Sequence, residues 1–371
     1  MKFSVSSSEL LRKLQIAGGV IPTNPVLPIL EDFLFTIEGE QLTIAATDLE
    51  TSIVTKLEVL ADANGVVAIP AKILMETLKA LPQQPITFQV FEETNSIQIT
   101  SSQGKYRLAG ESGQDFPRLP EAETVDSVSL ESNALNQIIS KTLFATSNDD
   151  LRPAMNGIYM QIDFGKMISV ATDAHKLVKY TLSELESDVS TSFIVPKKAM
   201  NLLKSALPNA GQIKLSFNNS NAFFDFGDSH LVCRLVDARY PDYNAVIPVD
   251  NPHTLTVSRT DFQSCLKRIA IYANKTTNQV ILNISEDSLT VSAQDLDFSN
   301  EATEQLACTF EGEPLTIGFN AKFLIEMLSV LESDEVKMEL SGPSRAGILL
   351  PAESVENEEI LMLVMPVMLS N

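Results

Sequence analysis

The chain is 371 residues long, 44% hydrophobic and 20% charged, with a formal net charge of −21. This length accommodates two or three domains, each burying its own core, and the absence of a long charge block excludes wholesale disorder. Acidity this strong, taken alone, argues against tight nucleic-acid binding, because phosphate contacts need lysine and arginine.

In chain order, Phe3-Ser4-Val5 reads as a short alternating strand. A helix comes next over Ser7–Gly18, with apolar Leu10, Leu11, Leu14 and Ala17 at three- and four-residue spacing. Residues 34–37 and 42–45 flank Glu38-Gly39-Glu40-Gln41, a hairpin signal, and 51–59 makes a further strand. The plan then repeats: a strand at 66–69, a helix at 70–80 opened by Pro70, a hairpin of 86–91 with 96–100, and a closing strand at 106–109. Similar turns at Asp163-Phe164-Gly165-Lys166, Asn218-Asn219-Ser220-Asn221, Ser285-Glu286-Asp287-Ser288 and Ser341-Gly342-Pro343-Ser344 bring the hairpins to six. Further helices are predicted over 132–146, 196–207, 259–272 and 320–331.

Landmarks return in order with one long period, the mark of an internal repeat. Ala46-Thr47-Asp48-Leu49 reappears as Ala171-Thr172-Asp173-Ala174 and, more loosely, as Ala293-Gln294-Asp295-Leu296, the aspartates 125 and 122 residues apart. Ile69-Pro70-Ala71-Lys72 returns as Val195-Pro196-Lys197-Lys198 and Phe319-Asn320-Ala321-Lys322. Phe116-Pro117 returns as Tyr240-Pro241 and Met365-Pro366. Three tandem domains result, near 1–122, 123–248 and 249–371, each an internal duplication. Two helices and two sets of antiparallel strands per repeat give an α+β class, with the sheets as an outer layer and the helices on one face. Joined edge to edge, such domains curve or close, which removes exposed sheet edges.

Charge is not spread evenly. The six predicted helices together carry +8 and the rest of the chain −29. Lysine and arginine are good helix formers, which explains part of this. If the helices share a side, that side is mildly basic on an acidic body. Such a surface attracts DNA weakly through its backbone and permits sliding.

Other chemistries find little support. Cys233, Cys265 and Cys308 are odd in number and widely spaced, which fits neither a disulfide framework nor a zinc site. His175, His230 and His253 lack metal-ligand spacing, and no Walker, G-x-G-x-x-G, H-E-x-x-H or G-x-S-x-G motif occurs. No catalytic site, metal or cofactor is expected. Asp48, Asp173 and Asp295 recur without partner histidines and read as turn residues. Met1-Lys2-Phe3-Ser4-Val5 lacks a signal-peptide core, and the apolar stretch 360–369 is short and broken by Pro366. A cytoplasmic chain without a membrane partner is expected.

Several segments together resemble the bacterial DNA sliding clamps, the beta subunits of DNA polymerase III. They are Met1-Lys2-Phe3, Leu27-Pro28-Ile29-Leu30, Ala171-Thr172-Asp173-Ala174-His175-Lys176-Leu177, Ile194-Val195-Pro196-Lys197-Lys198, Leu235-Val236-Asp237-Ala238-Arg239-Tyr240-Pro241-Asp242-Tyr243 and Val364-Met365-Pro366. The likeness runs along essentially the whole chain. It implies a non-catalytic processivity factor that forms a head-to-tail homodimeric ring around double-stranded DNA, without sequence preference. Implied partners are the clamp loader complex, DNA polymerase subunits and repair proteins that carry clamp-binding motifs.

The resemblance also implies sites. A partner-peptide pocket falls on Met155, Thr172, His175, Lys176, Leu177, Pro241 and Val246, with Val364, Met365, Pro366, Val367, Met368 and Leu369 from the tail. Methionine and aliphatic walls adapt to varied apolar anchors. DNA-facing positions are Asn24, Lys72, Asp149, Arg152, Lys197 and Lys198. The dimer interface takes Lys105, Tyr106, Arg107 and Leu108 from one end and Ile271 and Tyr272 from the other. Asn24, Asp149 and Pro153-Ala154 depart from residues that favour DNA in the family. Ala245 and Met368 replace basic pocket residues, and Ser370-Asn371 runs past the usual end. DNA contacts and motif preference are therefore expected to differ from the family pattern. The rival reading is an acidic repeat scaffold or DNA mimic, which would carry no basic face.

Overall fold

Six α-helices form where the apolar periodicity places them: α1 Ser7–Gly18, α2 Ala71–Ala80, α3 Ser132–Thr142, α4 Lys197–Ala206, α5 Arg259–Ile269 and α6 Ala321–Ser329. The computed structural model describes residues 1–121 and 126–369. The expected boundary between the first two repeats and the Ser370-Asn371 extension therefore fall outside the described residues. Two helices end earlier than expected, because their last turns tighten into 3-10 helix at Leu143–Ala145 and Ala270–Tyr272. Such tightening is a common way to satisfy the terminal carbonyls. Side-chain caps fix two of the starts: Ser258 Oγ accepts from Asp261 N at 3.4 Å, and Asn320 Oδ1 from Lys322 N at 3.0 Å.

All six expected hairpins are present and antiparallel. The first pairs Asp32–Glu38 with Gln41–Thr47, and Gly39 takes a φ of 61° at its turn. The turn aspartates act as expected. Asp48 Oδ1 accepts from Glu50 N and Thr51 N, Asp173 Oδ1 from His175 N and Lys176 N, and Asp295 Oδ1 from Asp297 N.

The chain folds into two compact units, 1–136 with 198–235 and 137–197 with 236–371. The first unit holds a five-stranded sheet in the order Leu60–Ala63, Lys2–Ser6, Pro85–Phe91, Ser96–Thr100, Lys105–Ala109. Its second sheet has nine strands: Glu111–Ser112, Gly65–Pro70, Asp32–Glu38, Gln41–Thr47, Thr51–Glu58, Ser229–Arg234, Asn221–Phe226, Gln212–Phe217 and Asp126–Glu131. The second unit also has a nine-stranded sheet: Ser190–Pro196, Gly157–Asp163, Lys166–Thr172, Lys176–Ser183, Glu358–Val364, Gly347–Pro351, Glu335–Leu340, His253–Ser258 and Thr309–Glu311. A four-stranded sheet completes it, ordered Asn300–Ala307, Ser288–Asp295, Gln279–Ser285, Leu315–Asn320.

Each core lies between a sheet and a helix pair. In the first unit Leu10, Leu14 and Ala17 of α1 and Leu74 and Leu78 of α2 are buried, in step with the helical period. Phe3 stacks on Phe88 at 4.8 Å, with Phe35 beside them. In the second unit Phe262, Cys265, Leu266 and Ile269 of α5 and Leu324, Met327 and Leu328 of α6 do the same work. Each fully buried Leu or Phe contributes about 1.5–3 kcal/mol from leaving water.

One buried group opposes folding. Asp32, 5% exposed, opens its strand opposite Pro70, and its Oδ2 has no hydrogen-bond partner among the described residues. Burial, with help from the Glu111 and Glu31 carboxylates, pushes it up from 3.8 to about 7. The folded chain thus holds this proton over a range where the unfolded chain releases it. Its contribution is full below the ordinary value and is lost as pH rises toward 7, at up to about 1.4 kcal/mol per pH unit. Asp32→Asn is therefore expected to gain stability over the wild type progressively from about pH 4 to about pH 7, then level off. Urea midpoints measured across that range check this, and an offset that does not change with pH would contradict it.

Candidate functional site

A sharp turn builds the centre of the site. Ala174 takes a φ of 75°, and Asp173 holds the turn by accepting the His175 and Lys176 amides at 2.9 Å each. Thr172 Oγ1 donates to the Lys176 carbonyl at 2.7 Å and accepts from Ala174 N at 3.1 Å. Thr172 is thus a positioning group in the turn. His175 projects outward, and its ring stacks near Phe323 at 6.3 Å. Lys176 turns inward and is only 6% exposed. Its Nζ meets Asp173 Oδ2 at 2.8 Å and Glu326 Oε2 at 3.3 Å, and lies 4.3 Å from the centre of the Phe323 ring. The buried cation therefore has two carboxylates and an aromatic face to offset its lost hydration.

The C-terminal tail runs beside this turn. Lys176 pairs with Val364 and Leu177 with Leu363 across the ladder. Beyond the strand, Met365 N donates to the His175 carbonyl at 2.9 Å and Val367 N to the Gly318 carbonyl at 2.8 Å. Gln279 Nε2 reaches the Met368 carbonyl at 3.4 Å. Met365 and Met368 remain exposed, and Pro366, Val367 and Leu369 are half-buried. Pro241 and Val246 sit on the 240–247 segment, which Tyr240, Tyr243 and Ile247 anchor over Val170, Leu177, Ile348 and Leu363. Tyr240 stacks on Tyr159 at 4.7 Å, and its hydroxyl donates to the Val170 carbonyl at 3.2 Å. Met155 is half-buried on a separate short turn, Pro153–Met155.

The residues expected near DNA are dispersed over both units. Asn24 and Lys72 are exposed in the first. Lys198 is also there, but it pairs with Asp48 and donates to the Val20 carbonyl at 3.3 Å. In the second unit Arg152 pairs with Asp149 at 2.8 Å, and this hydrogen bond holds the Asp149 carboxyl below its ordinary range. Lys197 donates to Asn148 Oδ1 at 2.9 Å, and burial with the nearby Lys176 charge lowers its pKa. The four interface positions 105–108 form the free edge of the five-stranded sheet: Lys105, Tyr106 and Arg107 are exposed and Leu108 is buried. Ile271 and Tyr272, 65% and 43% exposed, lie on the 3-10 turn after α5.

Sequence reasoning missed Phe323, Glu326, Gly318 and the edge strand Asn300–Ala307. Phe323 and Glu326 carried no signal, since they act on a lysine in another repeat. Gly318 did carry one. It stands inside a strand where the earlier repeats have Ala68 and Ile194, and a lone strand glycine marks close backbone approach. A Cβ at Gly318 would lie 2.6 Å from the Val367 carbonyl oxygen.

Known proteins match this architecture along its whole length. The DNA polymerase III beta subunit descriptions match in order: the N-terminal domain over residues 1–120, the central domain over 129–242 and the C-terminal domain over 244–368. The beta sliding clamp of Vibrio cholerae is 30% identical and that of Pseudomonas aeruginosa 28%, each match covering 100% of both chains. A crystal structure of the Pseudomonas aeruginosa clamp superposes with a TM-score of 0.93 at 28% identity, again over 100% of both chains. The Bacillus subtilis clamp, at 22% identity and a TM-score of 0.95 over 100% of both chains, shares the fold. The chain belongs to the DNA polymerase III beta subunit family, the sliding clamps. Members of this family are processivity subunits in DNA replication without catalytic chemistry of their own. No helix among the described residues is long and apolar enough to cross a membrane.

Gly318→Ala is expected to displace the tail while leaving the sheet intact. Loss of one backbone hydrogen bond, about 1 kcal/mol, should speed exchange of the Val367 amide roughly fivefold. Hydrogen exchange measured by NMR checks this, and an unchanged Val367 rate would contradict the close-approach reading.

Proposed function

We propose that two copies of the chain close head to tail into a ring that encircles duplex DNA in the cytoplasm and tethers its partners there. Strand counts carry this reading. Two sheets have nine strands, and the other two have five and four. In each nine-stranded sheet, the strand after the aspartate turn of one repeat pairs with the closing strand of the next. Thr51–Glu58 takes Ser229–Arg234, and Lys176–Ser183 takes Glu358–Val364. The third such strand, Asn300–Ala307, and the first closing strand, Lys105–Ala109, are both sheet edges. Paired between two copies, they would make a third nine-stranded sheet and leave neither edge open.

Charge and apolar surface favour the same join. Lys105 and Arg107 would lie against a strand that carries the exposed Glu301, with Ile271 and Tyr272 exposed beside it. The division into three domains near 1–122, 123–248 and 249–371 belongs to this reading, and the three successive family matches support it. Double reversal of Lys105 and Arg107 to glutamate should convert dimer to monomer, and reversing Glu301 to lysine in the same chain should restore part of it. Sedimentation equilibrium reads the mass; dimer persisting in the first variant would overturn the edge pairing.

The surface of His175, Leu177, Pro241, Val246 and the tail 364–369 is proposed to take short apolar motifs of the clamp loader, polymerase subunits and repair proteins. Exposed Met365 and Met368 supply adaptable walls. DNA is proposed to be held loosely, by topology. Arg12, Lys72, Lys79, Lys204, Lys267 and Lys322 lie on helices, are exposed and have no ion pair among the described residues. Loaded onto a nicked circle by its loader with ATP, the protein should stay on the circle at moderate salt and run off after linearisation. Equal retention before and after cutting would overturn the ring mechanism.

A further inference from the structure

Both junctions between repeats inside the chain carry a contact of the same kind: the second helix of the later repeat reaches the aspartate turn of the earlier one. At the first junction Lys198, the second residue of α4, pairs with Asp48. At the second junction Phe323, the third residue of α6, lies 4.3 Å from the Lys176 ammonium and 6.3 Å from the His175 ring. Glu326, one helical turn further on, meets Lys176 Nζ at 3.3 Å. Among the described residues, three such turns and three such helices leave one of each over. They are the turn at Asp295 and α2.

Both are apolar on the outside. Ile73, the third residue of α2 and so the counterpart of Phe323, is 49% exposed. Leu296 and Phe298 of the turn are 80% and 72% exposed. This turn is also the longest of the three. Leu49-Glu50 and Ala174-His175 are all that separate the first two aspartates from the next strand, whereas Leu296-Asp297-Phe298-Ser299 stand between Asp295 and Asn300. Asp295 pairs with Asn300 across the ladder, so the added residues project past the strand ends. The 3-10 turn that bears Ile271 and Tyr272 packs on the two strands this turn joins, which makes the apolar surface continuous with the proposed interface. A single exposed Leu, Ile or Phe is ordinary. Here the exposed residues fall at matching places on the two halves of a contact that is made twice elsewhere in the chain.

We propose that Ile73 of one copy is buried against Leu296 and Phe298 of the other, an apolar lock that closes each junction between copies where charged side chains help to close the junctions within a chain. The lock rests on the ring reading above. It gives that ring a property the edge charges do not. Pairs between Lys105, Arg107 and Glu301 are screened in salt, since the Debye length falls to ~3 Å at about 1 M, while apolar burial is not weakened by screening. The lock therefore holds at high ionic strength.

Sedimentation equilibrium of the full chain at about 0.1 M and about 1 M NaCl tests this. Ile73→Lys alone, or Phe298→Glu alone, should weaken the dimer at least roughly tenfold at both salt concentrations, because each removes a buried apolar side chain and buries a charge. Both positions are exposed in the single chain, so each variant should fold, with an unchanged thermal midpoint. Combined, the two should restore most of the affinity at the lower salt and lose it again at the higher. Proximity is read separately. Chains carrying Ile73→Cys mixed with chains carrying Phe298→Cys should be joined by a short bis-maleimide into a covalent dimer that neither variant forms alone. A wild type that stays monomeric would overturn the ring and the lock together. A dimeric wild type whose mass is unchanged by both single substitutions, or whose mixed cysteine variants fail to join, would overturn the lock and leave the ring standing.

Discussion

Antiparallel pairing between strands of successive repeats is the interaction on which the rest of the structure depends. Thr51–Glu58 runs against Ser229–Arg234 from Thr55 opposite Ser229 to Thr51 opposite Cys233. Lys176–Ser183 runs against Glu358–Val364 from Lys176 opposite Val364 to Leu182 opposite Glu358. A repeat standing alone would expose unpaired amides and carbonyls on both flanks, a template for aggregation. Continuing the sheet into the next repeat removes that hazard. It also explains why the compact units do not coincide with the sequence repeats, since each unit is organised around a sheet that two repeats share.

Local features were legible in the sequence because they depend on neighbours in the chain. The Leu10, Leu14, Ala17 spacing placed α1 from Ser7 to Gly18, and Phe91 and Ser96 bounded a real hairpin. Cross-repeat partners were less legible. Nothing near Lys176 announces Glu326 or Phe323, and no local pattern pairs Thr51–Glu58 with a strand some 175 residues later. Chain-wide charge was legible only in outline. Lys13, Lys141, Lys198 and Arg268 counted toward the basic helices, yet they are occupied by Asp228, Glu358, Asp48 and Glu304. A charge count along helices overstates the available positive surface, because helix cations, buried or exposed, pair with carboxylates from other elements.

One turn is used twice with different outcomes. Thr47 and Thr172 share two turn hydrogen bonds, Asp48 and Asp173 accept the equivalent pair of amides, and Leu49 and Ala174 both take a positive φ. Arg234 N donates to the Glu50 carbonyl as Met365 N donates to the His175 carbonyl. The two turns differ in the course of the chain beyond these bonds. After Arg234 the chain continues, and Tyr240, Tyr243 and Ile247 of the next segment pack over a sheet. After Met365, residues 366–369 lie along Gly318 and leave Met365 and Met368 uncovered. An adaptable apolar surface thus accompanies the second turn because the segment beyond it follows the Gly318 strand and leaves two methionine side chains uncovered.

The acidity of the chain and the proposed sliding are compatible on the same grounds. Each phosphate contact that releases a counterion steepens the fall of affinity with salt. A ring that must move needs few such contacts at once, because closure, not affinity, prevents escape. Pairing Lys198 with Asp48 and Arg152 with Asp149 lowers the number of free cations without abolishing the basic character of the helices. In the proposed ring, the carboxylates that occupy these cations would tune the grip on the backbone. A variant that removed Asp48 or Asp149 would be expected to hold DNA more tightly and to slide less freely, because each freed cation adds a contact that must break at every step along the duplex.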